Sequence, residues 1–172
     1  MAAAWARLPG GLRLFALSVV LLAGVGGVGR LIGWVALTTT LGPTAYLLLT
    51  PSATVLARLR SAVTGHALAV AVGLACLAAF GLWSHPSIVE QHHDTGRQIW
   101  AQALAVGLTL LLLHVCDAPH PPAAATALLI ASGISRPGAP LYGLLVGLAL
   151  VLAIAPLLAA ATARGTGEDG GG

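Results

Sequence analysis

From Ala139 to Ala163 no charged side chain interrupts the chain, and five earlier blocks are almost as apolar: about Leu12–Gly29, Leu31–Thr50, Ser61–Trp83, Ile99–Val115 and Pro119–Ile134. A helix rises about 1.5 Å per residue, so about 20 such residues cross the hydrocarbon of a bilayer. Charged residues make up only 8% of the chain, against about 25% in a soluble domain. Most of the surface therefore has to face lipid. In lipid every backbone N–H and C=O must be satisfied within the protein, which admits only helices or a closed barrel. The blocks are rich in Ala, Leu and Gly and lack the two-residue alternation of barrel strands. The expected fold is all-α: a polytopic transmembrane helix bundle of five to six apolar segments, forming one domain over residues 1–164. The Gly-rich, acidic stretch Gly165–Gly172 reads as a disordered tail.

Arg7 and Arg13 before the run Leu14–Val28 resemble the start of a signal peptide. The run continues past Arg30 into further apolar sequence rather than a polar mature chain, so it reads as a retained first helix. All eight basic residues are Arg. With six crossings, Arg7, Arg13, Arg58, Arg60 and Arg164 fall on one side and Arg30, Arg97 and Arg136 on the other. That bias predicts a multi-pass protein of the cell inner membrane with cytoplasmic termini. If the second and fifth blocks dip in and return, four crossings remain and both termini stay together. A net charge of +3 from scattered arginines gives no nucleic-acid footprint. Cys76 and Cys116 sit in apolar stretches and read as small hydrophobes, with neither disulfide nor zinc spacing.

Two blocks are interrupted at matching places. Leu41-Gly-Pro-Thr-Ala-Tyr-Leu-Leu-Leu49 resembles His120-Pro-Pro-Ala-Ala-Ala-Thr-Ala-Leu-Leu-Ile130, with Thr44-Ala45 aligned to Thr126-Ala127. Each is followed by a short loop, including Pro51 and Ser52 in the first case, and then by a helix opening with Gly65 or Gly143. Three blocks per half make an inverted repeat, an arrangement common in secondary transporters. Pro stands where helices begin in both stretches, so each reads as a helix N-terminus buried in the membrane. Such termini carry partial positive charge and unpaired N–H groups suited to an anion. Small-residue pairs such as Gly65 with Ala69 and Gly143 with Gly147 allow close helix approach.

Ionisable residues inside apolar blocks are costly and mark function. His66, His114, Asp117 and His120 qualify, although His66 and Asp117 also suit helix capping. Thr38, Thr39, Thr40, Thr44 and Thr126 add hydroxyls near the breaks. The candidate substrate-binding set is Gly42, Thr44, Gly65, His66, Asp117, His120, Pro121, Pro122 and Thr126. His114, Asp117 and His120, spaced three and three, form a second candidate set for a metal ion, although prolines break the helix before the third. The loop with His85, His92, His93 and Asp94 reads as solvated. No catalytic constellation, metal requirement or cofactor motif is evident, so the chain is not expected to be an enzyme.

The run Ala118-Pro-His-Pro-Pro-Ala-Ala-Ala-Thr-Ala-Leu resembles the signature of the HPP family of small integral membrane proteins. The stretch Gly42-Pro-Thr-Ala-Tyr-Leu-Leu-Leu-Thr-Pro, followed by Arg60 and Gly65-His66, resembles that family's other shared block, and the likeness spans about Gly42 to Pro156. Three positions depart from the pattern: Ala124 replaces a Gly, Pro43 follows Gly42, and Leu59-Arg60-Ser61 replaces Pro-Arg-Asn. The resemblance implies a membrane protein of four or more helices, with nitrite transport assigned to plastid members. The expected function is a transporter or channel for a small inorganic anion such as nitrite, in contact with the lipid bilayer and compatible with a homo-oligomer. Protonation of a histidine near neutral pH could couple proton and anion movement. The alternatives are metal-ion binding or transport, and a membrane scaffold that transports nothing.

Overall fold

The computed structural model describes residues 7–50 and 54–168, with side chains as far as Ala161. Pro51 and Ser52 of the first connection, and the last residues of the expected tail, lie outside that range. Among the described residues all regular structure is helical. The helices are α1 (Leu8–Ile32), α2 (Leu41–Leu49), α3 (Val55–Ala79), α4 (Ile88–Gln91), α5 (Gly96–Val115), α6 (Pro122–Ala131) and α7 (Ala139–Glu168). The assignment of α7 thus runs into the stretch expected as tail from Gly165. Helices α1, α3, α5 and the Ala139–Ala161 part of α7 are long and apolar enough to cross a membrane. Their outer faces carry exposed large hydrophobics such as Phe15, Leu31, Leu111 and Leu157, as contact with lipid requires. The chain is a multi-pass helical membrane protein.

The interrupted blocks become short helices, each reached through irregular backbone. Residues 33–40 lead into α2 and residues 116–121 lead into α6. Neither block dips in and returns. The turn after α1 packs on the first turns of α7, where Gly143 meets Val35 and Gly147 meets Ala36 and Leu41. From there α2 runs on along α7 until Arg58 of α3 donates to Leu47 O at 3.0 Å. In the other half, Gly65 of α3 receives His120 and Ala123, and Gly73 receives Ile130, so α6 runs parallel to α3. The six segments alternate in direction.

Two half-bundles result. Leu21, Val25, Leu41, Leu48, Leu144 and Val151 form a core among α1, α2 and α7. Ala69, Ala105, Leu113, Ala123 and Ala127 form another among α3, α5 and α6. Helix α3 packs on α5 and α6 as α7 packs on α1 and α2, which is the pattern of an inverted repeat with the long helices exchanged. Its register is read from an apolar cavity of about 430 Å³ between α3 and α7. Val63 and Leu145, His66 and Leu148, Ala67 and Ala149, and Val70 and Leu152 line it. Each pair is 82 positions apart, the separation of Thr40 and Pro122, so the cavity lies on the pseudo-twofold axis. This register pairs Gly65 with Gly147, not with Gly143 as the sequence alone implied. The reason is packing: Gly65 seats Ala123 of α6 as Gly147 seats Leu41 of α2.

The polar loop after α3 is pinned rather than loose. Ser87 and Glu90 form a capping box at α4, Thr95 and Gln98 form another at α5, and Ile88 N donates to Ser132 O at 3.2 Å. Arg136 clamps Glu90 with two bonds of 3.1 and 3.2 Å. The Glu90 carboxyl is held below its usual range, first by the Ser87 amide and hydroxyl and further by Arg136.

Two predictions follow from the packing and the loop. Gly147→Ala should destabilise the bundle by about 1–3 kcal/mol, because its methyl group meets the Ala36 carbonyl rather than a movable side chain. Gly107→Ala, with nothing near its Cβ, should be neutral or stabilising by about 1 kcal/mol; unfolding in detergent measures both. Glu90 is depressed, so its contribution is present above the ordinary Glu range and lost as pH falls through the lowered value. Hydrogen-exchange protection of the loop should therefore persist from neutral pH down through the ordinary Glu range and be lost only as pH falls through the lowered value, with Glu90→Gln lacking that protection throughout.

Candidate functional site

Where the two short helices meet, five polar side chains are buried together: Thr40, Thr44, His66, His120 and Thr126, none more than 3% exposed. His66 stands eleven residues into α3, about 16 Å along its axis. The cluster therefore lies well inside the bundle. Helices α2 and α6 pass side by side in opposite directions at their first turns. Thr40 reaches Thr126 at 3.0 Å, and Thr44, one turn further on, reaches His120 at 3.4 Å. Thr40 and Pro122, and Thr44 and Thr126, are partners under the repeat, so the cluster straddles the axis.

Each threonine has one proton to give, and one consistent set of donors follows from placing the Thr40 and Thr44 protons on backbone carbonyls. Thr40 Oγ1 donates to Pro122 O at 3.2 Å and Thr44 Oγ1 to Thr40 O at 2.9 Å. In that arrangement Thr126 donates to Thr40 and His66 Nδ1–H donates to Thr126 Oγ1, 2.9 Å away. A neutral His66 then has a bare Nε2, which lies 3.1 Å from His120 Nε2 and 3.0 Å from Thr44 Oγ1. His120 Nε2–H is the one proton left to serve these two acceptors. The rings meet edge to face, with centroids 4.8 Å apart at 71°.

The sequence-derived candidates divide accordingly. Thr44, His66, His120 and Thr126 converge. Pro122 contributes its carbonyl, and Gly65 contributes the space that seats His120 and Ala123, whose Cβ atoms lie 3.1 and 3.2 Å from a Cβ built there. Gly42 is exposed and takes no part in the cluster, and Pro121, also exposed, lines a cavity beside His120 rather than the cluster itself. Asp117 is exposed in the α5–α6 connection with a left-handed φ of 47°. That turn, with the end of α5 at Val115, breaks the three-and-three spacing, so His114 and Asp117 stay at the surface while His120 goes in. Among the described residues no three His, Cys, Asp or Glu side chains gather as a metal site.

The helix N-termini differ from expectation in one respect. Pro121 and Pro122 have no N–H, and the next two amides of α6, Ala123 and Ala124, donate to His120 O and Pro121 O. In α2, Leu41 and Thr44 amides donate to Thr38 O and Thr40 O, and Pro43 has none. A cradle of unpaired N–H groups is therefore absent from both first turns, apart from the outward-facing Gly42. What the termini offer is their partial positive charge.

Cavities approach the cluster from two sides. One of about 480 Å³ is lined by Arg60, Ser61, Thr64 and Asp117, and beside it a cavity of about 230 Å³ reaches His120 past His114 and Asp117. At the other face a cavity of about 320 Å³ is lined by Trp34, Thr38, Ser135 and Ala139. Asp117 and Val35, and Ala57 and Ala139, hold equivalent positions in the first and last of these. Thr38 is the repeat partner of His120, and its hydroxyl is buried without a hydrogen bond. Sequence reasoning grouped Thr38 with the other hydroxyls; only the repeat register reveals its place.

Thr126→Val should leave the His66 N–H without an acceptor and cost about 1–2 kcal/mol. Thr126→Ser should cost little, and unfolding of the two variants in one detergent makes the comparison.

A family model described as HPP, transmembrane region, matches residues 6–166. No curated protein and no solved structure matches the chain.

Proposed function

We propose that this chain, which belongs to the HPP family of transmembrane proteins, moves a small inorganic anion such as nitrite across the bilayer. The observation that carries the reading is the buried His–Thr cluster on the pseudo-twofold axis, approached by cavities from opposite faces. Inverted-repeat transporters place their sites at such an interface, near interrupted helices. The partial positive ends of α2 and α6 favour negative charge over positive. Arg60 is the cationic side chain in the larger cavity and would draw anions there. The distribution of arginines supports cytoplasmic termini in an inner membrane.

The competing readings have less behind them. Among the described residues a metal site would have His66 and His120 without a third ligand of the usual kind. A scaffold would have no use for two histidines and three threonines buried among apolar helices, where such groups are costly. Catalysis is not assigned either. Thr44 lies 3.0 Å from His66, but its proton goes to the Thr40 carbonyl.

Protein reconstituted in liposomes should take up nitrite well above protein-free vesicles. His120→Ala should reduce that uptake at least about tenfold, the order expected from loss of a buried charge-assisted contact, while Gly107→Ala should retain it. Equal uptake in His120→Ala and the parent protein would overturn this site.

A further inference from the structure

Within that reading, the hydrogen-bond directions say how charge enters the site. The chain of donors runs from His120 Nε2–H to His66, Thr126 and Thr40 and ends on the Pro122 carbonyl. With Thr40 donating to that carbonyl, His120 holds its proton on Nε2, and a neutral ring then carries a lone pair on Nδ1. That nitrogen takes no part in the network, and His120 lines the cavity shared with Leu113, His114 and Asp117.

A lone pair repels an anion. Yet the surroundings, two positive helix ends and Arg60 nearby, suit an anion better than a metal or an ammonium ion. Both facts are met if the anion arrives with a proton. We propose that His120 Nδ1 is the proton-binding atom of a one-to-one proton–anion symport. A proton from water in the cavity adds to Nδ1, and the new N–H⁺ donates to the anion. Proton and anion leave together, so the histidine ends as it began and no net charge crosses. A charge of either sign entering alone would go uncompensated into an apolar bundle, whereas the pair adds none. Among the described residues the titratable and charged groups around His120 are His66 from α3, His114 from α5, Asp117 from the connection, and Arg60 of α3 with Cys116 at the neighbouring cavity. Helices α2 and α6 contribute only threonine there. Asp117 and His114, both at the surface, mark the route by which the proton reaches the ring.

Liposomes containing the intact protein and a trapped pH dye test this with nitrite as the probe. Inward nitrite flux should acidify the lumen by one proton per anion beyond the protein-free background, and an imposed membrane potential should not change the rate. His120→Gln offers a permanent N–H donor without a titratable site, so its remaining nitrite flux should lose the accompanying proton and follow the potential. Parent protein whose nitrite flux follows the potential without protons would overturn the symport and leave anion transport standing. Absence of any protein-dependent nitrite flux would overturn both.

Discussion

Breaking a helix inside an apolar bundle frees backbone groups that lipid cannot satisfy, and the whole architecture is organised around hiding them. Residues 33–40 press against Gly29, Gly143 and Gly147, and residues 116–121 lie against the Gly65 region of α3. At Gly29, Gly143 and Gly147 backbone of the irregular segment stands where a side chain would, and at Gly65 the Cβ atoms of His120 and Ala123 do. Because the long helices have bare faces at those points, the breaks can occur deep in the bundle rather than at its ends. The same shelter keeps the cluster of histidines and threonines out of contact with lipid.

Much of this was legible in the chain. Charge scarcity and block length forced a helical membrane bundle, and Pro after Gly42 and at 121 and 122 marked both breaks. Thr44, His66, His120 and Thr126 were identifiable as polar residues that an apolar block would not otherwise carry. The repeat register was legible at the breaks, where Thr44-Ala45 aligns with Thr126-Ala127, but not along the long helices, because Ala and Leu match one another anywhere. Its decisive pairs, such as His66 with Leu148, are unlike in chemistry and are related only by their position about the axis. Hydrogen-bond satisfaction was not legible at all. Proline at a helix start suggested free amides nearby, but proline itself has none, and the amides that follow turn back on His120 and Pro121. The spacing of His114, Asp117 and His120 misled for a related reason. Periodicity presumes a continuing helix, and the left-handed turn at Asp117 ends it.

The polar network illustrates how few protons can define a buried site. Three hydroxyls, two imidazoles and two carbonyls share five donated protons. With the threonine protons placed on Thr40 and on the two carbonyls, each ring holds its own proton on the nitrogen that completes the chain. Such a site is preorganised without a single formal charge, which is the economical state for a group of this depth.

The halves of this protein match in backbone but not at the axis, where His66 and His120 face the positions of Leu148 and Thr38. In a molecule of two interchangeable inverted halves, swapping their conformations would turn an inward-open state into an outward-open one of identical energy. Here the swap would place the imidazoles in the role now held by a leucine and a lone hydroxyl. For the transporter proposed above, the two states are therefore unequal, and the resting population of the empty protein is biased toward one side of the membrane before any gradient is applied.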